Sequence, residues 1–121
     1  MDDKTKIEAC IQLYFDSLYE SDTGKVRASF HDAAMVSGYL PDGLHEMNLS
    51  EFADFVGSQQ PSPKENSDDI LLEIISCEIN GSTASAKVRD GYLGMVFLDT
   101  LSFLKVNDEW KIYNKLFHVE S

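Results

Sequence analysis

At 121 residues the chain is long enough to bury one hydrophobic core and too short for two, so residues 1–121 read as a single domain. Its 21 acidic against 10 basic residues give a formal net charge of -11, and the bases are scattered, which argues against nucleic acid and anionic membrane surfaces as partners. The opening "MDDKTK" lacks the apolar run of a signal peptide and no window is long enough to span a bilayer, so the expected location is cytoplasmic.

In chain order, Ile7, Cys10, Ile11, Tyr14, Phe15 and Leu18 follow helical spacing and predict one long helix with Tyr14 in the middle of its buried stripe. Asp22 or Thr23 then caps a short helix that carries Val26 and Phe30 and ends near His31-Asp32. "AMVSGYL" predicts a strand, turned by Pro41-Asp42-Gly43 into "LHEMN". Asn48 and Glu51 have the spacing of a capping box, opening a third helix with Leu49, Phe52, Ala53 and Val56 on one face. "SQQPSPKENSDD" is a polar loop. Four strands follow: "ILLEIISCEI", an Asn80-Gly81 turn, "STASAKVRDGYL" with a bend at Gly91 to Gly94, then a hairpin over Met95–His118 turning at Asn107-Asp108. Helices first and antiparallel strands last make an α+β chain, a cone-shaped roll of a curved, mainly antiparallel sheet packed against three N-terminal helices.

The most informative residue is Asp99. Strand alternation points it the same way as Phe97, Leu101 and Phe103. A carboxyl on an apolar face must pair with a charge, accept hydrogen bonds or stay protonated, because burying it unpaired costs roughly several kcal/mol. His31, just after a short helix, is a candidate general base, with bonding to helix-end carbonyls as the alternative. His118 follows Leu116 on one face of the last strand, where it could close a pocket. No pair among His31, His45 and His118 has metal-ligand spacing, so no metal is expected. Cys10 and Cys77 read as free thiols. Without a nucleophile elbow or a glycine-rich phosphate loop, no cofactor is expected either. The face opposite Asp99, with Leu98, Thr100, Ser102, Leu104 and Val106, is mixed in character and suits a homodimer interface; Tyr113 and Phe117 are expected to share one face of the final strand.

This order of elements, with "SFHDAAMVSGYLPDG", "LSEFADFV" and "LDTLSFLKVNDEWKIYNKLFH", resembles the nuclear transport factor two-like superfamily, and within it the group labelled lumazine-binding, close to the SnoaL-like proteins. The resemblance covers nearly the whole chain and implies a cone-shaped fold, usually dimeric, that carries enzymes, ligand binders and adaptor domains alike. Ketosteroid isomerases of that superfamily set a tyrosine and a neutral aspartic acid as hydrogen-bond donors beside a separate proton-moving aspartate. By that resemblance Tyr14 and Asp99 take the two donor positions, while the proton-moving position falls near Gly38, leaving His31 as the remaining base. The implied function is binding of a hydrophobic or aromatic small molecule, with Tyr14 and Asp99 as polar anchors and Ile11, Phe15, Leu18, Phe97, Leu101, Phe103 and Trp110 as wall. Any catalysis would be cofactor-independent proton transfer or cyclisation beside a carbonyl. The alternatives are a non-catalytic dimeric interaction domain with a filled cavity and, for Asp99 itself, an ion pair with Arg89 or a lysine.

Overall fold

The computed structural model describes residues 2–121. Helix α1 (Asp3–Glu20) opens where the Asp2 carboxylate accepts the Thr5 N–H at 2.8 Å, and it ends at Ser21 in the left-handed conformation. Its buried face holds Ile7, Cys10, Ile11, Tyr14, Phe15 and Leu18, the stripe predicted from spacing. Asp22 caps α2 (Thr23–Ser29), and strand β1 (Phe30–Leu40) begins immediately at the helix end. His31 is therefore a strand residue rather than the close of a helix. Strand β2 (Gly43–Asn48) leads directly into α3 (Leu49–Gly57) through a complete capping box between Asn48 and Glu51. The Pro-bearing segment after α3 is tied to α1 by two bonds of 2.8 Å, from the Lys64 N–H to the Tyr19 carbonyl and from the Tyr19 hydroxyl to the Asp68 carbonyl.

Strands β3 (Leu72–Asn80), β4 (Thr83–Tyr92), β5 (Met95–Val106) and β6 (Glu109–Val119) complete one curved, unclosed sheet in the order β2-β1-β6-β5-β4-β3. Only β1 and β6 run parallel; every other neighbouring pair is antiparallel. The turns obey hairpin chirality: Asn107 and Asp108 both have positive φ, as do Leu93 and Gly94. The β3–β4 turn uses Gly81 and Ser82, one residue later than Asn80-Gly81, because Asn80 still pairs with Thr83 and the left-handed φ falls on Gly81.

The alternation of the β5–β6 hairpin breaks once. Ser102 pairs with Asn114 but Phe103 pairs with Ile112, so Tyr113 is an extra residue on β6. Before the bulge Trp110 and Ile112 point inward; after it Lys115 and Phe117 do. The expectation that Tyr113 and Phe117 share a face fails for this reason: Tyr113 faces out and Phe117 faces in. The same slip turns Leu116 and His118 outward, so His118 is exposed on the outer face of the sheet instead of facing the concave side.

Gly38 pairs with Phe117 across the parallel ladder. A Cβ built on it would meet the Phe117 carbonyl and lie 2.5 Å from Phe117 Cγ. The space that an acid at this position would need is filled by the Phe117 ring. Gly38→Ala is expected to destabilise the fold by about 1–3 kcal/mol through overpacking, read as a lower midpoint in urea denaturation; an unchanged midpoint would refute the tight approach.

Candidate functional site

Three strands and one helix bring four polar side chains together inside the sheet's concave face. Tyr14, from the fourth turn of α1, donates its hydroxyl to Asp99 Oδ2 at 2.7 Å, with Asp90 Oδ2 at 3.4 Å. Asp90 and Asp99 occupy inward positions of adjacent strands, where Asp90 pairs with Phe97 and Asp99 with Val88. Lys115, delivered inward by the bulge, sits beside them on β6 with its Nζ 4.8 Å from the Tyr14 ring centre, 4.9 Å from Phe52 and 5.7 Å from Phe117. All four are buried, Tyr14 and Asp99 completely.

The electrostatics follow from that burial. Two carboxyls this close in a dry interior cannot both ionise cheaply. Burial first, and then the neighbouring Asp99, push the Asp90 carboxyl up to about 9, so it is protonated at neutral pH. Burial and the two carboxyls also hold the Tyr14 phenol well above its ordinary range, which keeps it a donor. Asp90 Oδ1, Asp99 Oδ1 and the Tyr92 hydroxyl are buried and have no hydrogen-bond partner among the described residues. Burial alone raises the Tyr92 phenol. The Lys115 ammonium likewise has no acceptor within hydrogen-bonding distance among the described residues; its neighbours are ring faces.

A cavity of about 210 Å³ opens above this cluster. Leu18, Met47, Phe52, Met95, Phe97 and Phe117 form much of its wall, and it reaches down to Asp90, Tyr92 and Lys115. Of the residues expected in the wall, Leu18 and Phe97 line it. Ile11, Phe15, Leu101, Phe103 and Trp110 lie in the surrounding core, with the Trp110 indole N–H donating to Asp3 at 3.0 Å. Tyr14 and Asp99 sit one layer beneath the floor, bonded to each other and touching the cavity through Asp90. His31 is elsewhere: its Nδ1 accepts the Ala33 N–H at 3.0 Å, its ring meets Tyr113 edge-on, and it borders a polar surface groove with Arg27 and Lys111. Arg89 points away from Asp99 and pairs on the surface with Glu73 and Glu120.

Alternation alone could have found Asp90, since Ala84, Ala86, Val88, Asp90 and Tyr92 form the buried register of β4. Lys87 and Arg89, on the outward register, disguise the segment as a solvated strand. Lys115 had no comparable signal, because its inward aim depends on the bulge. The cysteines stay free, and the buried Cys10 thiol is pushed up to about 11 by desolvation, making it a poor nucleophile. Among the described residues no group of three His, Cys, Asp or Glu side chains could hold a metal ion, and no helix is long and apolar enough to cross a membrane.

A curved sheet wrapped around three helices, with polar groups gathered at the bottom of an apolar cone, defines the nuclear transport factor two-like fold. Solved structures bear this out. An NTF2-like protein of unknown function from Silicibacter pomeroyi superposes with a TM-score of 0.87 at 19% identity, over 97% of this chain and 95% of that one. One from Methylobacillus flagellatus gives 0.86 at 25% identity over 100% and 94%, and one from Shewanella baltica gives 0.81 at 22% over 100% and 98%. The profile of the family described as "Putative lumazine-binding" matches residues 2–118, and the chain belongs to that family. Among curated proteins none matches this chain.

The raised Asp90 has a measurable consequence for stability. Its unfolded-state value is near 3.8 and its folded value about 9. Below both values the proton is held in either state and burial of the neutral acid carries no ionisation penalty. Between them folding takes up a proton, so stability falls as pH rises and levels off once the folded group ionises. Asp90→Asn removes this slope. The difference between wild-type and Asp90→Asn unfolding free energies, from denaturant titrations, is expected to grow by on the order of a few kcal/mol from acid to alkaline pH; a pH-independent difference would show that Asp90 is not held protonated.

Proposed function

We propose that this protein binds a small, largely apolar molecule in the cavity between α1, α3 and the concave sheet face. The observation that carries this reading is the cavity itself, about 210 Å³ of space above a buried polar floor, where a non-binding domain would close its core with side chains. Membership of a family whose description names lumazine, a flat bicyclic heterocycle, supports a planar occupant. Tyr14 and Asp99 support the floor by fixing Asp90, and the aromatic wall supplies the contact area. Binding is the reading favoured over turnover, because neither position expected to supply a base serves the occupant: Gly38 has no side chain and His31 lies outside the cavity, while His45, which borders it, is bonded to Asp42. Naphthalene is a suitable neutral probe. It is expected to shift the resonances of Phe97 and Phe117 in the wild type, whereas Met95→Trp, which places an indole in the cavity, is expected to weaken binding about tenfold or more. Equal shifts in both proteins, or none in the wild type, would remove the proposal.

The same chain is proposed to pair with a second copy through the outer face of its sheet. Met35, Tyr39, Tyr113 and Leu116 are all exposed there on the neighbouring strands β1 and β6, an unusual density of large apolar side chains for open water. Leu116→Asp is expected to convert a dimer into a monomer in sedimentation at micromolar concentration; a wild-type monomer would dismiss the interface.

A further inference from the structure

The cavity floor carries two donors unpartnered among the described residues, the Lys115 ammonium and the Tyr92 hydroxyl, beside the Asp90 carboxyl. The Lys115 ammonium offers three N–H bonds and makes none to a described residue. Among the described residues the buried Tyr92 hydroxyl and the buried Asp90 Oδ1 have no hydrogen-bond partner. The Tyr14 hydroxyl is committed to Asp99 Oδ2 at 2.7 Å. The ammonium has no hydrogen-bond or ion-pair partner among the described residues, although the Asp90 carboxyl lies near enough to feel its charge. Three aromatic faces attract a cation but fulfil none of its hydrogen bonds, and an apolar cavity strengthens the pull on any anionic oxygen that enters.

We propose that the occupant is an aromatic carboxylate, its ring held between Phe97, Phe117 and the apolar wall, one carboxylate oxygen on the Lys115 ammonium and the other taking a hydrogen bond from the Tyr92 hydroxyl. This rests on the cavity-binding reading above and names the chemical class that the floor selects. A donor beside a cation suits a two-oxygen head group better than a lone carbonyl, which would leave one of them unsatisfied. The chain's net charge of -11 does not oppose it, because the surface acids are screened by solvent and salt while the ammonium is buried.

The test compares naphthoate, naphthamide and naphthalene by calorimetry. Naphthoate is expected to bind on the order of tenfold to a hundredfold more tightly than naphthamide, and Lys115→Met is expected to collapse that ratio toward one. Should Lys115→Met not fold, the pH dependence in the wild type decides. The groups facing Asp90 are Tyr14 from α1, Asp99 from β5, Lys115 from β6 and Tyr92 from its own strand; His45, bonded to Asp42 at 2.7 Å, stands on the β2 side of the cavity. Naphthoate affinity is expected to hold near neutrality and fall above about pH 9, as Asp90 gains a charge next to the ligand. Naphthamide affinity should stay flat. Naphthamide binding as tightly as naphthoate, with no alkaline loss, overturns the carboxylate assignment and leaves the cavity reading standing. If none of the three binds, the cavity reading itself fails.

Discussion

Two carboxyls and an ammonium buried in one dry cluster are the constraint around which this molecule is arranged. Each would be costly alone. The fold lessens the cost by keeping one acid neutral, giving the other a phenolic hydrogen bond, and surrounding the cation with ring faces instead of an anion. That solution leaves hydrogen-bonding capacity unspent, part of it on Asp90 and Tyr92 at the cavity floor. A core designed only for stability would contain none of these groups.

The scaffold earns its precision through local devices. Asp2, Asp22 and Asn48 cap the three helices in succession, so Tyr14 and Phe52 arrive on rigid supports. Gly38 lets β1 approach β6 closely enough for the Phe117 ring to lie over it, which sets one wall of the cavity. Leu93, held at positive φ in the β4–β5 turn, places its side chain at the cavity lining despite an unfavourable backbone conformation.

Most of this architecture is legible in the sequence because it rests on periodicity. Helical spacing places Tyr14 inward, strand alternation places Asp99 inward, and the two meet at 2.7 Å. Asp90 follows from the same alternation, hidden only by the basic residues on either side of Val88. Lys115 and His118 were beyond reach for a physical reason: a period of two carries no information about a residue that does not count, and Tyr113 is such a residue. The two-residue loops were legible to within one position, since Asn80-Gly81 and Gly81-Ser82 differ only in which pair closes the ladder.

The bulge at Tyr113 also suggests how a family built on this scaffold could diversify its interior. Beyond that point the identity of every cavity-facing residue on β6 is decided by a phase, and a phase can be reset without altering composition. Moving the extra residue two positions toward the C-terminus would keep the hairpin and its turn, yet present Asn114 inward and turn Lys115 into the irregular position. A pocket could thus exchange a cation for an amide through a shift in backbone pairing alone, with the three helices and the remaining strands undisturbed.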